Sequence, residues 1–415
     1  MAVNYDKLYT VIANRCIKDS ALAAYAGVSR NIITRIRRSE YISMESIEKI
    51  CRALDCKVGD IIDFQDRARA LSIQNRRYLG NKYRLLGFIE ETINKHCPET
   101  KSLMDIFAGT GVVAYHFMDK MKVVTNDTLY SNYLAHIAFM SADPFDSDKI
   151  EMMIDEYNGL PVSSLRENYM SETFGDTFFC RDDCKRIGYI REDIRDRYRA
   201  EYINHREMAL LVTALLYSMD KVADTCGHYD AYRKGVSCYR PFEMYPLALS
   251  KKPSCGNIFF NGDSNKLAVE GKLPYVDCVY CDPPYNSRNY CDLYHVLENV
   301  ARWEKPGVQG QARKMDRSGL KSRYCSKSAA AAFEELVKAL RCRYIVLSYN
   351  NTGDKANARS NARMSDEDIM RILSEKGRVR IYSKKYKAFT TGKSDNHTNE
   401  ERLFVCEVHN EEGLC

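Results

Sequence analysis

No apolar run in this chain is long enough to cross a bilayer. The longest, "MALLVTALLYSM" from Met208, has 12 residues, against the roughly 20 that a spanning helix needs. It reads as a buried helix. A charged-then-apolar leader is also missing from the opening "MAVNYDKLYT", so a cytoplasmic, nucleoid-associated protein with no membrane partner is expected. Prolines are scarce, 10 in 415 residues, and there is no low-complexity segment. This excludes fibrous and broadly disordered classes and leaves a folded chain of two or three domains.

What the 16 cysteines lack is a paired motif. They are scattered from Cys16 to Cys415, and in a reducing compartment they are expected to stay as thiols and pack as small hydrophobes. Cys180 and Cys184 with Cys278 and Cys281 come nearest to a zinc set, but the first pair is spaced by three residues rather than two. No metal is expected.

Two stretches are nearly free of acid. Residues 305 to 327 hold seven basic side chains against Asp316, a local +6, and residues 376 to 393 hold seven against none, a local +7, in a chain of net charge only +6. Both are expected along the phosphates of a polyanion.

Residues 1–66 form a helical module. In "DSALAAYAGVSRNIITRIRR", apolar Leu22, Ala23 and Ala26 pattern a short helix, Gly27 permits a tight turn, and Ser29 caps a second helix with Arg30, Asn31, Thr34 and Arg35 on its polar side. This resembles the Cro/repressor helix-turn-helix, which implies DNA contacts through those four residues.

Further on, "KSLMDIFAGTGVVAYHFMDK" reads as a strand, a glycine turn and a helix, and "KVVTNDT" as a second strand ending at Asp127. Strand, glycine turn, helix, strand and acid open a Rossmann-like nucleotide-binding sheet. The third glycine of a dinucleotide fingerprint and the lysine of a phosphate loop are absent, so a cofactor without pyrophosphate fits, S-adenosylmethionine foremost. After a helical, tyrosine-rich interruption the strands resume with "NIFFNGDSNKL", "PYVDCVYCDPPY", "RYIVLSYNNTG" and "RLFVCEV", the last read as an edge.

"DCVYCDPPY" contains an apparent CxxC. Residues three apart on a strand point to opposite faces, so Cys278 and Cys281 are packing residues. The chemistry lies in Asp282, Pro283, Pro284 and Tyr285. Two prolines stiffen the backbone and leave carbonyls free, so Asp282 and the Pro283 carbonyl can accept both hydrogens of one amine while Tyr285 stacks on its ring. Acceptors so placed stabilise the positive charge that grows on an exocyclic nitrogen under attack. A base in a duplex reaches such a pocket only if flipped out.

With these motifs the chain from about 76 to 405 resembles the α-type adenine-N6 DNA methyltransferases, the Dam-like group that includes many restriction-modification enzymes. The resemblance rests on "RRYLGNKYRLLGFI", "DIFAGTG", "NDTLYSNYLAH", "NGDS" and the extended "DPPY" segment, in that order. It implies an α/β fold, a Rossmann-like S-adenosylmethionine-dependent methyltransferase sheet over residues 67–134 and 256–410. It also implies a mainly helical target-recognition insertion over 135–255, beside the all-α N-terminal helix-turn-helix domain.

By the resemblance Tyr78, Gly80, Lys82, Asp105, Phe107, Gly109, Gly111, Asp127, Asp263 and Ser264 hold the cofactor, with Lys82 near its carboxylate. Asp282 to Tyr285 form the base pocket. Tyr229, Tyr232, Arg233, Lys234, Arg288, Asn289 and Lys385 are candidate DNA contacts. The expected partner is double-stranded DNA, with a cognate restriction endonuclease conceivable and the chain a monomer or dimer. Alternatives are cytosine-N4 or RNA adenine methylation, or a helix-turn-helix regulator with an inactive methyltransferase domain.

Overall fold

A computed structural model describes residues 2–15, 17, 19–37, 40–65, 70–225, 227–232, 241–249, 256–350, 363–385 and 400–409. The chain divides into two compact units, Met1–Ala70 and Leu71–Cys415.

In the first unit, helices Asp6–Asn14, Asp19–Ala26, Arg30–Arg37, Met44–Ala53 and Val58–Ile61 enclose a core of Leu8, Ile12, Leu22, Ile33, Ile36, Ile47, Ile50, Leu54 and Ile61. The pairs Ile33/Ile36 and Ile47/Ile50 are spaced to fall on one helix face. Gly27, at φ +62°, turns the chain between the second and third helices, in the left-handed region that glycine enters without strain. The Ser43 hydroxyl accepts the amide of Ser46 at 3.2 Å and caps the fourth helix.

The unit departs from an all-α reading. Strands β1 (Ala2–Asn4) and β2 (Asp63–Gln65) pair antiparallel. Three-residue strands are too short to show an alternation in sequence, so this ribbon was not foreseen.

The second unit is built on strands β3 (Ser102–Asp105), β4 (Lys122–Asp127), β5 (Ile258–Asn261), β6 (Val276–Cys281), β7 (Cys342–Asn350), β8 (Gly377–Lys385) and β9 (Glu400–Val408). They form one sheet in the order β5-β4-β3-β6-β7-β9-β8. The first five run parallel, and β9 runs antiparallel between β7 and β8.

Both faces are covered, as parallel strands require. One face, with Leu103 and Cys278, packs Ile89, Ile93, Val113 and Phe139 from helices Leu86–His96, Val112–Phe117 and Tyr130–Met140. The other, with Met104, Val279 and Cys281, packs Ala268, Leu336, Ile369 and Ile372 from helices Ser264–Val269, Ala329–Ala339 and Asp366–Lys376. Cys278 and Cys281 thus lie on opposite faces and are both free.

Two strand readings are corrected as well. "RLFVCEV" is interior, and the edge is β8, within what read as a basic surface run. The alternation of Val379 and Ile381 with Arg378 and Arg380 was the available signal.

The segment 135–255 supplies helices Ser147–Gly159, Tyr169–Phe174, Arg181–Arg199 and His205–Val222. They share a core with helix His295–Arg302. The boundary expected at 134 falls inside helix Tyr130–Met140. "MALLVTALLYSM" lies within His205–Val222, buried from Arg206 to Asp220, and among the described residues no helix is long and apolar enough to cross a membrane.

Candidate active site

Strand order reverses between β3 and β6, whose neighbours β4 and β7 lead off in opposite directions. The carboxyl ends of such strands open a crevice where α/β sheets bind ligands. Here a cavity of about 260 Å³ is lined by Asp105, Phe107, Gly109, Asp127 and Asp263 on one side and by Lys82, Asp282, Pro284 and Tyr290 on the other. Tyr78, Gly80 and Ser264 also line it, whereas Gly111, Pro283 and Tyr285 do not.

The glycine turn shapes the first half. Gly109 (φ +53°) and Gly111 (φ +82°) are left-handed, and a Cβ on Gly109 would lie 2.9 Å from the Tyr78 ring. Gly109→Ala should cost about 1–2 kcal/mol from backbone strain alone and weaken ligand binding here about tenfold. Calorimetric titration checks this, and an alanine variant with unchanged affinity would show that the cradle is not in use.

Asp127 braces the turn. Its Oδ2 accepts the Gly109 amide at 2.9 Å and its Oδ1 the Leu129 amide at 2.8 Å, and burial raises its pKa to about 6. With Asn132 also donating to this carboxylate, one lone-pair site is left for a ligand hydroxyl. His136, missed from the sequence, donates from Nε2 to the Gly109 carbonyl (2.9 Å) and, being neutral because burial lowers its pKa to about 4, accepts the Thr125 hydroxyl at Nδ1 (3.0 Å).

Asp105 is buried with Oδ1 unpartnered; burial, then Asp282, pushes its pKa well up. Phe107 stands edge-on to Tyr324. Asp263 is exposed and caps helix Ser264–Val269 through the Lys266 amide. The Ser264 hydroxyl is spent on the Ile106 carbonyl.

In the second half Asp282 follows the last residue of β6. Lys82 Nζ lies 3.0 Å from its Oδ1 and 3.2 Å from Oε1 of Glu401 on β9. Burial opposes the Lys82 charge, but the two carboxylates hold its pKa well above the lysine range. Burial raises that of Asp282 to about 6, against the pull of Lys82.

Lys82, expected near a cofactor carboxylate, lines the cavity between Asp282 and Glu401, 5.8 Å from the Tyr285 ring centre. Tyr285 is held edge-on by Tyr349. Tyr78 stacks with Tyr290 and Tyr294 at 5.1 and 4.7 Å, a wall for which the sequence showed only its first member.

The DNA-contact candidates are spread out. Arg30 and Asn31 are exposed and Thr34 and Arg35 partly so, on one helix of the first unit. Arg288 is exposed, and Asn289 Oδ1 accepts the Ser322 amide. Tyr229 must be corrected: it is buried, its hydroxyl donating to Asp220 at 2.7 Å. Tyr232 packs edge-on against Phe178. Arg233 and Lys234 lie outside the described residues, as does the side chain of Lys385.

The run 305–327 is also less basic than it reads. Lys305 pairs with Glu192, Lys314 with Asp230 and Asp292, Arg317 with Asp292, and Arg323 with Glu335. Among the described residues only Arg313, Lys321 and Lys327 of that run make no ion pair, and Lys321 lines the cavity. In the second run, residues 386–393 lie outside the described residues.

Residues 78–351 match the family model of the D12 class N6 adenine-specific DNA methyltransferases, and residues 7–67 that of the Cro/C1-type helix-turn-helix DNA-binding domain. The chain is 29% identical to modification methylase LlaI of Lactococcus lactis subsp. lactis, over 79% of this chain and 53% of that protein. It is 31% identical to modification methylase StsI of Streptococcus sanguinis, over 72% and 46%, and 28% identical to type II methyltransferase M.NlaIII of Neisseria lactamica, over 78% and 95%. It therefore spans about half the length of the first two relatives and nearly all of the third.

Proposed function

Because the chain belongs to the D12 class of N6 adenine-specific DNA methyltransferases, we propose that it transfers a methyl group from S-adenosylmethionine to the N6 amine of an adenine flipped out of duplex DNA at a specific sequence. The observation that carries this reading is the single cavity joining the glycine turn and Asp127 to Asp282 and Pro284. A cofactor cradle and an amine acceptor open into one space.

The residues fit the cofactor. Gly109 leaves a cradle that a side chain would fill, Asp127 has a lone pair for a ribose hydroxyl, and the unpartnered Asp105 Oδ1 offers a buried acceptor. When bound, S-adenosylmethionine supplies an electrophilic methyl.

The protein positions the amine. The Asp282 carboxylate accepts one of its hydrogens at the cavity, and Pro284 and Tyr290 line the space beside it for the base. Positive charge growing on nitrogen is stabilised by acceptors already in place, which cost no reorganisation at the moment of reaction.

Labelled S-adenosylmethionine with duplex DNA, followed by digestion to nucleosides, tests the reading. Label in N6-methyladenine supports it. Label confined to N4-methylcytosine or to RNA would replace the substrate, and no label would remove the activity.

The acceptor role also requires Asp282 to be ionised. Protonation removes the acceptor, so kcat should fall as pH drops through about 6 and level off above it. A kcat that stays flat between about pH 5 and 8 would contradict a role for this carboxylate.

Helix Arg30–Arg37 of the first unit reads DNA in the major groove on this account. Mapping methylated sites with the full chain and with residues 1–70 deleted separates target choice from promoter control.

A further inference from the structure

Lys82 does not end at Asp282. Its other neighbour, Glu401, lies on β9, is 9% exposed, and accepts the hydroxyl of fully buried Ser348 on β7 at 2.7 Å. Asp282 Oδ1 lies 3.0 Å from Lys82 Nζ, is sealed from solvent and has no hydrogen bond of its own, so the 17% exposure of this side chain belongs to its remaining atoms. The ion pair alone holds one oxygen inward, and the other is left for the cavity.

We propose that Glu401 is a positioning residue for methyl transfer: with Ser348 it anchors Lys82, and Lys82 fixes the inner oxygen of Asp282 so that the outer one meets the amine. The role rests on the methyl-transfer reading above. Its electrostatics are specific. Asp282 is faced by Lys82 from the loop before helix Leu86–His96, Glu401 from β9, Asp105 from β3, Tyr280 and Cys281 from β6, and Tyr290 beyond. Lys82 is the one cation of this set, and two carboxylates share it. Removing the Glu401 charge leaves Lys82 to Asp282 alone and takes one negative neighbour away from Asp282.

Glu401→Gln keeps the shape and an oxygen for Ser348 while deleting the charge. In the full chain it should lower kcat by about ten- to a hundredfold, the range expected of a misplaced reacting group, with KM for cofactor and DNA unchanged. The acid limb of kcat should move to lower pH, a shift that a merely structural defect would not produce. Combined with Lys82→Met it should add little further loss, because both act through one chain of contacts.

An active parent chain with an E401Q variant matching it in kcat and acid limb overturns the positioning role alone, as do E401Q and K82M losses that multiply. An inactive parent chain overturns the methyl-transfer reading and this role with it. Should E401Q melt too low to assay, Ser348→Ala gives the same test, with a loss absent from the K82M background as the supporting result and an unchanged kcat as the contrary one.

Discussion

Asp282→Ala should lower kcat by about 10³-fold or more while the cofactor's dissociation constant moves less than about threefold, the asymmetry expected when a group acts mainly on transition-state charge. On the proposed reading the lost carboxylate is the amine acceptor, and the cofactor is held by the glycine turn, Asp127 and Asp263, which line the same cavity. The fold should tolerate the change, because Lys82 keeps Glu401 as a counter-charge at 3.2 Å. Asp282→Asn, which keeps the shape and loses the charge, should lie between parent and alanine. Single-turnover transfer beside calorimetric cofactor titration separates the two constants. An alanine variant retaining a tenth of the parent rate would leave Asp282 without the role given to it.

The largest effect on stability should come from Glu298→Ala. The Glu298 side chain is wholly buried. Its two oxygens accept the amides of Tyr130 and Ser131, each at 2.9 Å, and one also pairs with Arg302 Nε at 2.7 Å. It thus caps helix Tyr130–Met140 with a full negative charge, where amides lack partners within the helix and the helix dipole favours an anion. Alanine would orphan two buried donors and leave Arg302 uncompensated, a loss of about 3–5 kcal/mol by analogy with broken buried pairs. Urea unfolding at constant m-value measures it, and a cost under about 1 kcal/mol would mean that water or a neighbour replaces the cap. Cofactor affinity should fall too, since the turn before this helix, Asp127 to Leu129, lines the cavity.

The parts of the site that could be read from sequence were those whose chemistry is local. On the proposed reading Asp-Pro-Pro-Tyr carries its chemistry in four consecutive residues, and the glycine turn with Asp127 spans one strand-helix-strand unit. The parts that could not be read depend on partners far along the chain.

Glu401 carries no motif, and only the antiparallel placement of β9 beside β7 brings it to Lys82. The tyrosine and arginine cluster near Tyr229 resembled a DNA-binding surface because sequence shows residue types and not the direction they face; Asp220, on the buried helix before it, draws Tyr229 inward. The basic run 305–327 looked uncompensated because a local charge count does not reach Glu192, Asp230, Asp292 or Glu335. The strand β8 was hidden by its own arginines and lysines, which suit an exposed edge as well as they suit a phosphate contact.

The placement of β9 also sets an order of assembly. Strand β8 is synthesised first, yet among the described residues its one partner in the sheet is β9, so it docks only when the later strand has paired with β7. The same event delivers Glu401 to Lys82. On a ribosome, the nascent chain completes its glycine turn and its Asp-Pro-Pro-Tyr segment well before this step, and the charge cluster around Asp282 closes only when β9 pairs with β7. A partly made chain can therefore hold every recognisable motif and still lack the anchored Lys82 and Asp282.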